Sequence, residues 1–361
     1  MATRHHSIAL IPLIVCAAAT ASEPSPAKVN PATATTSTIA APDLSTPLAI
    51  YHAVMDDFPT GPIEEPQLRA ALAVVESAAE AEPKQARWAV ARSIIVGRLG
   101  EKERAVEIAE AAVKLAPEDA RAQFAYGAAL FDNINNVGMF SKMGVASDGS
   151  DAFLKAARLD PSYISPKIGL IQFYSNAPSI AGGSMKKARE QAEAIVAIGG
   201  RAVTSGHIAL AQLAAKDEQW PDAEKHFRLA ADGATDDRSK YQTFGALAQM
   251  LVRQRNDAPG ALKIVEQMRP LGAATDTTAD FIAGQAHQKL GDHPQAIACF
   301  RAVLARNSKA VNTRYMLGQS LAATGDTAGA IAVYEELLQI APTDSRADDV
   351  RALIKKLRKQ R

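Results

Sequence analysis

The chain has 361 residues and a formal net charge of +1, from 40 basic and 39 acidic side chains, so no global field draws it toward nucleic acid or another polyanion. Hydrophobic residues make up 47% but aromatic ones only 5%, an alanine-rich balance that suits close packing between helices. Cys16 and Cys299 are the only cysteines, which excludes a disulfide framework.

At the amino terminus Arg4, His5 and His6 precede an apolar run from Ile8 to Ala19, which closes on Ala19-Thr20-Ala21. A positive segment, a short apolar core and an A-x-A site together predict a secretory signal peptide over residues 1–21. The run is shorter than the ~20 apolar residues that a membrane span needs, so no transmembrane segment is expected in the mature chain. Leu13-Ile14-Val15-Cys16 has the outline of a lipobox. Such boxes want a small residue before the cysteine, and Val15 is not small. Cleavage after Ala21 is therefore the primary reading, with lipidation at Cys16 as the alternative.

Residues 22–46 hold four prolines, nine serines or threonines and no aromatic side chain. They cannot bury enough apolar surface to offset ordering entropy, so a disordered linker is expected. Helices are expected from residue 47 onward. Over 47–85 the pattern predicts a partial repeat, with one helix near Leu48 to Phe58 and another from Pro66 to Glu82. Ala71, Val75, Ala78 and Pro83 recur 34 residues later as Ala105, Ala109, Ala112 and Pro117.

From 86 to 343 a small residue returns at one register, as Ser93, Gly127, Gly169, Ala211, Gly245, Gly284 and Gly318. Those seven positions mark seven helix pairs. Extra residues fall between the helices of the second and third pairs, within 132–147 and 175–185. Both stretches should emerge side by side and pack together, Ile134, Val137, Met139, Phe140, Met143 and Val145 meeting Ile180 and Met185. Gly182-Gly183-Ser184 reads as a turn followed by a helix cap in preference to an anion cradle. Beyond 343, Val350, Leu353, Ile354 and Leu357 form one apolar stripe, which predicts a capping helix over 344–361. Its basic residues, Arg351 to Arg361, complement a helix carboxyl end; contact with an anionic membrane surface is the second reading.

The clearest copies lie last. Gly284-x6-Gly291-x4-Ala296-x3-Phe300 is repeated as Gly318-x6-Gly325-x4-Ala330-x3-Tyr334, at a period of 34. A glycine inside a helix costs about 1 kcal/mol against alanine, so its recurrence points to close backbone approach. This pattern resembles the tetratricopeptide repeat. The resemblance implies an all-α fold, an α-solenoid of antiparallel helix pairs wound into a right-handed superhelix. It also implies a concave surface lined by the first helix of each pair, which takes protein or extended peptide partners. Residues 117–215, with the Ala181-Gly182-Gly183-Ser184 element, further resemble an exported Gram-negative group of these proteins, which implies a periplasmic setting.

Counting three before, one after and four after each small position gives the residues that would face inward. In the second and third repeats these include Phe124, Phe131 and Phe173, with Tyr163 and Tyr174 flanking. In the fourth to seventh they are Gln212, Gln242, Gln249, Phe281, Gln285, Gln288, Tyr315 and Gln319. No H-E-x-x-H, Gly-x-Ser-x-Gly, Walker loop or cysteine cluster occurs. His287 and His293 straddle a turn, an unsuitable spacing for a metal pair. The sequence therefore reads as a non-enzymatic exported scaffold without cofactor or metal. A lipid-anchored envelope assembly or export factor is the alternative; an enzyme or small-molecule binder built on the insertions ranks below both.

Overall fold

The computed structural model describes residues 44–55, 64–272 and 276–359. The 1–21 leader with Cys16, and nearly all of the 22–46 linker, lie outside the described residues. Among the described residues all regular structure is helical. A first pair, α1 (Pro47–Met55) and α2 (Glu65–Ala81), leads the fold. Next come α3 (Ala86–Arg98) with α4 (Lys102–Leu115), α5 (Ala120–Asn133) with α6 (Met139–Leu159), and α7 (Ile164–Asn176) with α8 (Met185–Ile198). They are followed by α9 (Ala202–Lys216) with α10 (Trp220–Asp232), α11 (Asp237–Arg253) with α12 (Ala258–Met268), and α13 (Thr278–Lys289) with α14 (His293–Arg306). The last pair is α15 (Val311–Ala323) with α16 (Thr327–Ile340), closed by α17 (Ala347–Arg358).

Two compact units divide this series within α9, one ending at Ala209 and the other beginning at Leu210. Inside each unit a helix packs on the next in sequence, and first helices also touch each other: α1 on α3, α3 on α5 and α5 on α7 in one unit, α11 on α13 and α13 on α15 in the other. That pattern of near-neighbour contacts is what makes a solenoid. The cores are built accordingly from small residues and single rings, such as Ala105, Ala109 and Ala112 in α4, or Ala296, Phe300 and Val303 in α14.

The turns between paired helices are specified locally. Gly291 and Gly325 adopt φ of 75° and 83°, the left-handed region that ends a helix without steric cost. One residue on, Asp292 and Asp326 cap the following helices, Asp326 accepting from the Gly329 amide at 2.8 Å. Asp326→Ala should therefore cost about 1 kcal/mol, read as a lower urea midpoint by circular dichroism; an unchanged midpoint would show that the cap is idle.

Two expectations are revised. The stretch 132–147 is not an excursion between helices: α6 begins at Met139 and runs for 21 residues, so most of the insertion lengthens the helix. Its Met, Lys and Ala residues are good helix formers, and a helix satisfies its own backbone where a loop would not. The two insertions meet only in part: the 179–181 turn lies against α6, and the side chains of Met139 and Phe140 lie outside the described residues. Ile180 is 85% exposed and Met143 58% exposed. In the second insertion a single 3₁₀ turn, Ser179–Ala181, leads to Ser184, whose hydroxyl accepts from the Lys187 amide at 3.3 Å. The glycines there make the turn, and Gly183 is required because a Cβ would collide with the Ala177 carbonyl.

The last helix, α17, buries Val350, Ile354 and Leu357 against α16. Two of its basic residues are engaged, Arg351 with Asp348 and Arg358 with Glu335, each at 2.6 Å. The apolar face is thus spent on the fold. No helix among the described residues is long and apolar enough to cross a membrane.

Candidate partner-binding groove

The helix α5 starts at Asp119, whose carboxylate accepts from the Arg121 and Ala122 amides at 2.7 and 3.0 Å. From that start Phe124, Ala128 and Phe131 fall on one face, and Phe173 comes to meet them from α7. The rings form a continuous row. Tyr163 meets Phe124 edge-on at 5.3 Å between centroids; Phe124 and Phe131 stack on Phe153 at 5.6 and 5.4 Å; Phe131 lies 5.5 Å from Phe173, and Phe173 5.4 Å from Tyr174. Contacts of this kind contribute about 0.5–1.5 kcal/mol each beyond the area they bury.

Beside this row lies a half-open cavity of about 850 Å³. Phe124, Phe131, Phe153 and Phe173 form its floor, and Ile134, Ile168 and Met143 part of its walls. The lengthened start of α6 and the 177–181 turn both line it, so the two insertions border one cavity. Its size is that of a ligand pocket, ~300–1,000 Å³. Of the five residues expected in this region, Phe124, Phe131 and Phe173 line the cavity. Tyr163 and Tyr174 do not line it but end the row of rings: the Arg121 guanidinium lies 4.8 Å over the Tyr163 ring, and Tyr174 is buried.

Phe153 was missed by the inward-facing count because it belongs to a second helix. The signal was present, since Gly149-x3-Phe153 has the spacing of Ala296-x3-Phe300 once the insertion is allowed for. Asp132 was missed too. It lines this cavity and an adjoining one of about 170 Å³. Asp132 is exposed to solvent on the cavity wall; partial desolvation there raises its carboxyl above the ordinary carboxylate range, and the attraction of Lys102 and Arg98 works against this.

In the second unit the expected residues are placed differently. The Gln249 amide donates to the Gln285 carbonyl at 2.8 Å. Gln288 donates to the Met316 carbonyl at 3.3 Å and to the Ser320 hydroxyl at 3.1 Å. These glutamines tie one first helix to the next, and Gln285 is buried. Phe281 and Tyr315 each lie 6.2 Å from the buried ring of their own repeat, Phe300 and Tyr334, and Arg346 covers Tyr315 at 4.9 Å. Gln212 and Gln242 are half-buried, and Gln319 is exposed. Cys299 is half-buried in α14, and burial raises its thiol pKa, the setting of an unreactive thiol. Among the described residues no three His, Cys, Asp or Glu side chains gather as metal ligands.

A family model described as tetratricopeptide repeat matches residues 95–136 and 283–345. No curated protein matches the chain. Among solved structures, yeast Tom70 superposes with a TM-score of 0.57 at 16% identity, over 82% of this chain and 59% of that one. The chain thus spans about three fifths of the Tom70 chain. A tetratricopeptide repeat protein from Parabacteroides merdae gives a TM-score of 0.47 at 11% identity, over 71% of this chain and 93% of that one. The Tom70 likeness speaks for the fold alone. Residues 95–136 and 283–345 thus match tetratricopeptide repeats, and the helix pairs between them continue the same solenoid pattern.

Proposed function

We propose that this protein is an exported, non-enzymatic scaffold that holds a protein or peptide partner on the inner face of α5 and α7. Tetratricopeptide repeat proteins bind protein or peptide partners, and the observation that carries the reading further is the phenylalanine-floored cavity between those helices. Large apolar anchors in a pocket with a polar rim are how interface hot spots are built. The periplasmic setting rests on the 1–21 leader, and lipid anchorage at Cys16 is the variant form of the same proposal.

Capture from an envelope extract on immobilised protein tests it. Partners held by the wild type should be lost with Phe131→Ala and with Phe173→Ala, and retained with Gln319→Ala. Retention should change little between low and moderate salt, because screening acts on charges and the anchors are apolar. Capture that survives both phenylalanine changes and falls steeply with salt would move the site to the basic face of α17. Mass spectrometry of the mature amino terminus separates a chain starting at Ser22 from one lipidated at Cys16.

A further inference from the structure

The row of rings on the first helices does not continue onto α3, and the residue that stops it is a glycine. Gly97 stands four positions after Ser93, the place that Phe131 fills after Gly127 and Phe173 after Gly169. Beside it lies the smaller cavity of about 170 Å³, walled by Val54, Ile94, Gly97, Ala125 and Ala129. Ser93, its neutral polar residue, is engaged, the hydroxyl donating to the Ala105 carbonyl at 2.8 Å. Its charged residues, Arg98 and Asp132, are exposed, so the recess itself is apolar.

Neither backbone nor packing asks for glycine at this position. Gly97 lies within α3 and has a helical backbone, without the positive φ of Gly100. A Cβ on it would meet the Ala105 Cβ at 3.6 Å, an ordinary contact, whereas at Gly127 and Gly169 it would run into the Phe153 ring. Glycine is a poor helix former, so the position gives up stability and keeps a space. That space adjoins the larger cavity, because Phe124, Ala128 and Asp132 border both.

One recess reaches α7 and the other α3, with α5 between them. Two recesses of unequal size suit two side chains on one backbone better than a single unbranched chain. Asn135 and Gln172, exposed where they line the larger cavity, offer amides to such a backbone. Packed helices lie ~8–10 Å apart, a distance that an extended peptide covers in about three residues. We infer that the smaller cavity is a second anchor site of the groove. Its occupant is an extended peptide with a large apolar side chain on the phenylalanine floor and, three residues away, a small branched one such as valine in the recess at Gly97. This rests on the peptide-binding reading above and adds the side-chain pattern that the site selects.

Fluorescein-labelled synthetic peptides with Gly-Ser flanks test it by anisotropy. One is centred on Val-Ser-Ser-Phe-Ser-Ser-Val, which offers the spacing in both chain directions, and the other carries serine in place of both valines. The full-length protein should bind the valine peptide about tenfold more tightly, the scale of burying one branched side chain. Gly97→Leu fills the recess and should erase that ratio while leaving the serine peptide's affinity in place. Gly97→Ala should raise the melting temperature; a lower one would show that glycine serves the packing of α3 and would overturn the inference. Phe173→Ala should weaken both peptides. Equal affinities for the two peptides in the wild type, or a ratio that survives Gly97→Leu, overturn the inference and leave the groove reading standing. If neither peptide binds, both readings fall; saturable binding of dansyl-undecanoic acid in that case would reassign the cavities to an acyl chain.

Discussion

Gly318→Leu and Gly284→Leu are each expected to destabilise the second unit by about 1–3 kcal/mol, the cost of overpacking a tight contact. A Cβ at Gly318 would lie under 3.0 Å from the Tyr334 ring, and one at Gly284 under 3.0 Å from Cε1 and Cδ1 of Phe300. Both rings are fully buried, at 1% and 0% exposure, so neither can swing into solvent to make room. Helix propensity works the other way, since glycine costs about 1 kcal/mol against alanine, and the steric term must win for the loss to appear. Gly245 supplies the contrast at the same register. Its nearest neighbour would be the flexible end of Met268, at 3.4 Å, so Gly245→Ala should be neutral or mildly stabilising. Thermal unfolding followed by circular dichroism reads all three. If the two leucine variants melt with the wild type, the ring contacts do not constrain the helices and the explanation of the glycine register is wrong.

Phe153→Ala should be the most damaging change in the first unit, at about 3–5 kcal/mol. The ring is 4% exposed and stacked between Phe124 and Phe131. It also occupies the space left by two missing side chains, since a Cβ at Gly127 or at Gly169 would lie under 3.0 Å from it. One ring thus joins the first helices of two successive repeats, α5 and α7. Deleting it removes a large buried area and leaves a cavity that the rigid helices cannot close. Phe173, only half-buried on the rim of the cavity, should cost clearly less when changed to alanine. Urea denaturation of the two variants measures the difference. A loss for Phe153→Ala no larger than that for Phe173→Ala would mean that the row of rings is a surface feature instead of a core. The comparison also protects the binding experiments, because Phe173→Ala can be read as a change in affinity only if the fold survives it.

Parts of the candidate cavity's lining were legible in the sequence for a simple reason. Phe124, Phe131 and Phe173 follow from counting along a helix from a small residue, and that count needs only the 3.6-residue turn. Phe153 escaped because it sits on a second helix, which that count leaves out, and Asp132 because a lone acidic residue near a helix end looks the same in sequence whether solvent or a cavity wall surrounds it. The glutamines show the opposite error. Gln249, Gln285 and Gln288 lie where the count places them on their helices, but they are close enough to the neighbouring first helix to bond there.

By itself the sequence determined the helix pairs and the closing helix, because each depends on residues within about one repeat of one another. The small-residue register was equally visible, since close approach of two helices leaves a periodic gap where side chains would collide. Only the tertiary structure decided that the 132–147 stretch is mostly helix, that both insertions border one cavity, and that Asp132 stands between two adjoining cavities. Those outcomes depend on which surfaces of three neighbouring helices face one another, a matter of packing between residues tens of positions apart, and no local period encodes it.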